Sequence, residues 1–206
     1  EKVDVQWTGE LKFEKSLLKD DRMDLLYKSG CRKLIFGLES YNQRVLDSMK
    51  KGVELSWVDE TAERCMQLGI AMHFYLICGF PTETREEVMD SINFVLNNQR
   101  LLDSPGFSAI LSQFDLERGA PIEKSPAEWG LKNLYTPSEH DLSLGYSYET
   151  TIGMNSKEIN DLYQELIEKL GREVMTFPHN YSLSDGLLYL AHHQRNSLTE
   201  RLGVLT

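Results

Sequence analysis

The stretch Ala71-Met72-His73-Phe74-Tyr75-Leu76-Ile77-Cys78-Gly79-Phe80-Pro81-Thr82-Glu83-Thr84 runs from an apolar segment through a Gly/Pro turn into Arg85-Glu86-Glu87. Residues 71–78 are almost continuously apolar, the pattern of a strand covered on both faces in a parallel sheet; a one-sided antiparallel strand would alternate. Gly79 permits close backbone approach, Pro81 stiffens the turn, and Thr84 with Glu87 three residues on forms a capping box that opens a helix. Behind it Val88, Ile92, Val95 and Leu96 share one stripe. In β/α folds ligands bind at the carboxyl ends of the strands, so this turn is a candidate binding element as well as a structural one.

Similar apolar runs occur at about 3–7, 33–38 and 107–114. A helix over about 20–29 carries Met23, Leu26 and Tyr27 and ends at Gly30; another opens with Ser56-Trp57-Val58-Asp59, which resembles a capping box, and stops at Gly69. Strand and helix thus alternate with a period of roughly 30 to 40 residues, the grammar of β/α units joined by right-handed crossovers into a parallel sheet. Four strands are too few for a closed eight-stranded barrel of about 250 residues. The expected fold is therefore α/β: half of a partial (β/α) barrel over residues 1–125, with residues 126–206 an irregular connection and a helical C-terminal appendage. Within that second part, 115–155 holds Pro121, Pro126 and Pro137 without sustained periodicity. A helix resumes at Ser156 with Ile159, Leu162, Tyr163, Leu166, Ile167 and Leu170, and a further one is expected over Ser184–Gln194, after Phe177-Pro178-His179-Asn180. The chain starts at Glu1 with no initiator Met, inside what reads as a strand, which suggests a cut piece of a longer protein.

The chain has 206 residues, 41% hydrophobic and 26% charged, which excludes a disordered or collagen-like polymer. With 22 Lys and Arg against 32 Asp and Glu, its net charge of −10 argues against a broad nucleic-acid or anionic-membrane footprint. Cys31, Cys65 and Cys78 are spaced too widely for a disulfide framework, structural zinc or an iron–sulfur loop, so a reducing cytoplasmic setting is expected and no metal ligand is assigned. No apolar run reaches about 18 residues, so no membrane span is expected.

A second informative stretch is Gly37-Leu38-Glu39-Ser40, followed by Leu46 through Met49-Lys50-Lys51-Gly52. Glu39 and Ser40 follow a buried strand directly and could face a barrel mouth, where a carboxylate and a hydroxyl suit an amine or a ribose. Spacing alone favours the other reading, in which Glu39 pairs with Lys50 or Lys51 while Ser40 caps a helical turn. Ser112 and Gln113 end the fourth strand and are candidate substrate-facing groups. His73 reads as packing, the cysteines as small hydrophobes, and Glu83, Glu86, Glu87 and Asp90 as a solvated helix N-terminus. His192-His193 would need partners that sequence does not reveal.

Together, Gly37-Leu38-Glu39-Ser40 with Met49-Lys50-Lys51-Gly52, and Gly79-Phe80-Pro81-Thr82-Glu83-Thr84 with Glu86-Glu87, resemble the radical S-adenosylmethionine (SAM) enzymes; Trp7-Thr8-Gly9-Glu10-Leu11-Lys12-Phe13 looks like the preceding strand. The resemblance covers about residues 3–125. It implies a partial (β/α)6 barrel whose first loop carries a CxxxCxxC motif on a 4Fe-4S cluster, and reductive cleavage of SAM to a 5′-deoxyadenosyl radical that abstracts hydrogen from substrate. By position it implies cofactor-binding roles for Glu39 and Ser40, near the ribose and methionine of SAM, and for Ile77 and Gly79, along its adenine. Glu10 and Lys12 become substrate-facing candidates beside Ser112 and Gln113. This chain lacks CxxxCxxC, Lys12 stands where many relatives have Arg, Tyr41-Asn42 replaces a small pair, and Thr82 replaces a common Gly.

The resemblance implies a fragment of a radical SAM enzyme that supplies part of the SAM pocket and the substrate wall, inactive alone and completed by an upstream half of the same polypeptide. Its substrate would be a small molecule or peptide, and the subgroup implied often adds a cobalamin domain. The alternative is a non-catalytic β/α module that recruits a protein or peptide. In either case an open first-strand edge should promote self-association.

Overall fold

The computed structural model describes residues 5–136 and 144–173. Four strands, β1 (Trp7–Leu11), β2 (Cys31–Glu39), β3 (Ala71–Cys78) and β4 (Ser108–Gln113), form a sheet in sequence order with every neighbour parallel. Helices connect them: α1 (Arg22–Lys28), α2 (Gln43–Ser48), α3 (Leu55–Leu68), α4 (Arg85–Leu96) and the short α5 (Gln99–Leu102). The capping box of α4 is formed in full, Thr84 accepting from the Glu87 N–H and Glu87 from the Thr84 N–H. The box expected at Ser56 is not: Ser56 lies inside α3, whose N-cap is Glu54, while Gly69 ends the helix in the left-handed conformation as expected.

The two faces of the sheet differ. Leu34, Phe36 and Leu38 of β2, Met72, Phe74, Leu76 and Cys78 of β3, and Ala109 and Leu111 of β4 are buried in one core beneath the helices. Phe13 stacks on Phe36 at 4.2 Å between ring centroids, and Phe74 meets both edge-on. Alternate positions point the other way: Glu10, Ile35, His73 and Ser108 form one register row, with Gly37, Tyr75 and Ile110 in the next. Tyr75 is 42% exposed although β3 has a neighbour on each side. Among the described residues, then, burial on both faces holds for one face only, and the second is a polar, half-open surface facing what would be a barrel interior.

The stretch read as an irregular connection contains a small antiparallel sheet of β5 (Leu116–Glu117), β6 (Leu131–Tyr135) and β7 (Gly145–Thr150), in the order β5-β7-β6. It shares a second core with Val45 and Phe80, where Phe80 meets Phe114 and Trp129 edge-on. Helix α6 (Ser156–Glu173) buries Ile159, Leu162, Leu166 and Leu170 in the main core, so it completes the helical layer. The helix expected over Ser184–Gln194, His192-His193 and the loop at Phe177-Pro178-His179-Asn180 lie outside the described residues. No helix among those described is long and apolar enough to cross a membrane.

Candidate functional site

At the carboxyl end of β2 the parallel register shifts between Gly37 and Glu39, and Glu39 takes a positive φ of 64°. Lys51, just beyond α2, donates to Glu39 Oε1 at 2.7 Å. A Cβ on Gly37 would stand 2.5 Å from that oxygen and 3.2 Å from Lys51 Nζ, so the missing side chain makes the room the pair occupies. Of the two readings of Glu39, its pairing with Lys51 is formed, and the pair itself sits at the mouth of the open face. Sequence reading offered Lys50 and Lys51 alike as partners of Glu39; the structure selects Lys51, and the bare Gly37 two residues before the carboxylate is the signal for the space the pair fills.

The remaining candidates divide. Lys12 follows β1 directly and brings Nζ to 3.6 Å from where a Cβ on Gly52, the residue after Lys51, would stand. Glu10 lies on the open face next to Ile35, and Ser112 lies there in register with Ile77. Ser40 is buried, with its Oγ 3.3 Å from Ser91 Oγ of α4, which also accepts the Tyr41 N–H at 2.7 Å; any contact it makes with a ligand must come from its backbone. Gln113 shares the parity of Leu111 and reaches Asn160 of α6 at 3.4 Å, which places it on the helical side, away from Ser112. Below them His73 Nδ1 lies 2.7 Å from Ser108 Oγ, and its ring meets Tyr75 edge-on.

The Gly79–Thr84 turn departs from the sequence expectation at Glu83. Read as part of a solvated acidic cluster, Glu83 is only 1% exposed. Its Oε2 accepts the N–H groups of Gly79 at 2.8 Å and Phe80 at 3.2 Å, while Oε1 is buried without a partner. Burial pushes the carboxyl up to about 7; the two N–H groups and Arg44 pull the other way, and Glu87 adds to the rise. The sequence signal was its place four residues after Gly79 and one before the N-cap, where a carboxylate can turn back onto strand-end amides. Gly79 itself has φ +83° and faces Ile159 of α6, so close that a Cβ would stand 2.6 Å from its Cγ2. Thr82 also takes a positive φ, 73°, and its carbonyl accepts from Arg44 at 3.2 Å while Arg44 pairs with Glu87.

The three cysteines are all buried and free; burial pushes the thiols of Cys31 up to about 11 and of Cys65 and Cys78 up to about 12. Metal binding needs accessible thiolates. Among the described residues no three His, Cys, Asp or Glu side chains gather to hold a metal. A 4Fe-4S cluster therefore does not fit the residues present. A surface cleft of about 270 Å³ is bounded by Leu17, Met23, Glu60 and Arg64, all from helical segments.

A parallel β/α sheet with one open polar face, whose mouth is set by a bulged Glu39 and a Gly79 turn, defines a segment of a β/α barrel. Residues 11–95 match the model of the radical SAM superfamily. The chain is 30% identical over 94 residues to an uncharacterized methyltransferase of Pyrococcus horikoshii, a match covering 46% of this chain and 20% of that protein. It is 27% identical over 110 residues to bacteriochlorophyllide d C-12(1)-methyltransferase of Chlorobaculum tepidum, covering 53% and 24% respectively. The matches thus span a fifth to a quarter of these curated relatives. Coproporphyrinogen III oxidase of Escherichia coli, a radical SAM enzyme, superposes with a TM-score of 0.54 at 16% identity, over 82% of this chain and 33% of that one, a likeness of fold.

Proposed function

We propose that this chain is the part of a longer radical SAM enzyme that forms one wall of the SAM pocket and the substrate-facing sheet, the cluster-binding CxxxCxxC half being supplied upstream. The observation that supports it is the Glu39–Lys51 pair above Gly37, at the mouth of a sheet face that is open although its strands are parallel. A carboxylate beside an ammonium, both partly buried, can exchange their mutual contact for the amine and carboxylate of an amino-acid moiety or for ribose hydroxyls. In this reading Glu39 and the backbone at Ser40 meet the ribose and methionine end of SAM, Ile77 and the backbone of Gly79 run along the adenine, and Glu10, Lys12 and Ser112 face substrate. When bound, SAM with the upstream cluster supplies the radical; this chain's residues bind, orient and exclude water.

Both curated relatives bear methyltransferase names, and methyl transfer is the reaction class we favour for the intact enzyme, a cobalamin domain belonging upstream in that case. The buried, unpaired thiols suit a reducing cytoplasmic setting. The test is anaerobic reconstitution of the protein with its upstream residues, followed by measurement of 5′-deoxyadenosine from SAM. Formation that is lost on Glu39→Ala supports the reading. A folded, reconstituted protein that holds no cluster and forms no product refutes it in favour of a binding module.

A further inference from the structure

Glu83 joins three parts of the chain through one residue. Its side chain holds the Gly79 and Phe80 amides at the end of β3. Its carbonyl accepts the Met154 N–H at 3.2 Å, just before α6. Gly153 packs against the Thr82–Glu83 backbone so tightly that a Cβ there would stand 2.8 Å from the Glu83 carbonyl oxygen. With Ile159 closed over Gly79, the loop before α6 and the helix together clasp the turn. A buried carboxylate oxygen without a donor is costly when ionised.

We propose that Glu83 is a positioning residue whose protonation stabilises this clasp: ionisation strengthens its two amide hydrogen bonds but leaves a buried charge with one oxygen unpartnered, and that burial cost outweighs the gain, so the closed arrangement of the Gly79 backbone and the 153–154 segment opens more readily when Glu83 is ionised. The inference rests on the proposed placement of SAM adenine along Gly79 only where it concerns SAM. The charged and titratable groups around Glu83 are Glu87 of α4, Arg44 of α2 and the Cys78 thiol of β3. From α6, Glu158 is turned away onto the Asn155 N–H.

The direction follows from linkage. The folded-state value, about 7, lies above the ordinary 4.5, so the stabilisation is fully present below about 4.5 and is lost as pH rises through about 7. Local opening of the turn should become easier by on the order of a hundredfold between pH 5 and pH 8. Amide hydrogen exchange on the 206-residue chain reads this directly once corrected for intrinsic rates. Protection at Gly79, Phe80 and Met154 should fall together across that range in the wild type and stay level in Glu83→Gln. A level wild-type profile, or the same slope in Glu83→Gln, overturns the proposal, and the wild-type profile needs no variant to fold.

For the SAM pocket the readout is equilibrium dialysis of SAM with the intact enzyme. The affinity ratio of wild type to Glu83→Gln should fall several-fold from pH 5 to pH 8, whereas a merely structural role leaves it constant and overturns the positioning claim. If the wild type binds no SAM, the proposed function fails instead, and exchange alone decides the clasp.

Discussion

Lys51 Nζ donates to Glu39 Oε1 at 2.7 Å across space that exists because residue 37 has no side chain. A methyl group there would stand 2.5 Å from the carboxylate oxygen and 3.2 Å from the ammonium. Both are ends of flexible side chains, so Gly37→Ala should displace the pair without unfolding the sheet. The expected outcome is a change in unfolding free energy of no more than about 1 kcal/mol, the usual scale for a partly exposed ion pair, with a clear loss of SAM affinity in the intact enzyme. Urea denaturation beside SAM dialysis separates the two; an unchanged affinity would remove the pair from the site.

Thr82 holds φ +73°, a region that a β-branched residue adopts only under constraint. Arg44 supplies the constraint, reaching the Thr82 carbonyl and hydroxyl at 3.2 Å each while it pairs with Glu87. Such strain costs on the order of 1–3 kcal/mol, and glycine relieves it with the loss of one exposed side-chain hydrogen bond. Thr82→Gly should therefore raise the urea midpoint, by about 1 kcal/mol in free energy. A decrease would mean that the Arg44–Thr82 contact outweighs the backbone strain.

Iron and sulfide added anaerobically to the 206-residue chain should leave no bound cluster after desalting. Cys31, Cys65 and Cys78 are buried, and their thiols are held protonated far above neutral pH by that burial. Iron and acid-labile sulfide analysis makes the check, and cluster-level content that disappears on Cys78→Ser would overturn it.

The β/α alternation was legible because each signal was local: continuous apolar runs for strands, a capping box at Thr84–Glu87, and Gly69 closing α3. What sequence left out depends on contacts distant in the chain. The open face of the sheet is written in alternate residues, Ile35, Gly37 and Glu39 or His73, Tyr75 and Ile77, but those residues are themselves largely apolar and blur the period of two. Strands β5 to β7 span two to six residues and draw their core from Val45 and Phe80, far back in the sequence. Glu83 looks like its acidic neighbours Glu86 and Glu87 until the turn folds it beneath Gly79. Strand-end position singled out Glu39 and Gly79 as candidates, while the turn of Ser40 toward α4 and of Gln113 toward α6 follows from packing against the helices.

That packing makes α6 the sharpest test of the architecture. Leu162 and Leu166 are fully buried in the same core as Phe36 and Phe74, on a helix that sequence alone assigned to an appendage. A separable appendage would lose its own helix on truncation of Leu162 and leave the sheet's transition intact. A helix that completes the barrel layer transmits the cavity to the whole domain, at a cost of about 2–5 kcal/mol for Leu→Ala at a buried site. Leu162→Ala should lower the single urea midpoint followed both by circular dichroism and by the fluorescence of Trp7, which packs on the same core. Two separate transitions, with only the helical signal shifted, would restore the appendage. A common shift would also fit the contact of Ile159 with Gly79, by which α6 holds the strand-end turn in place.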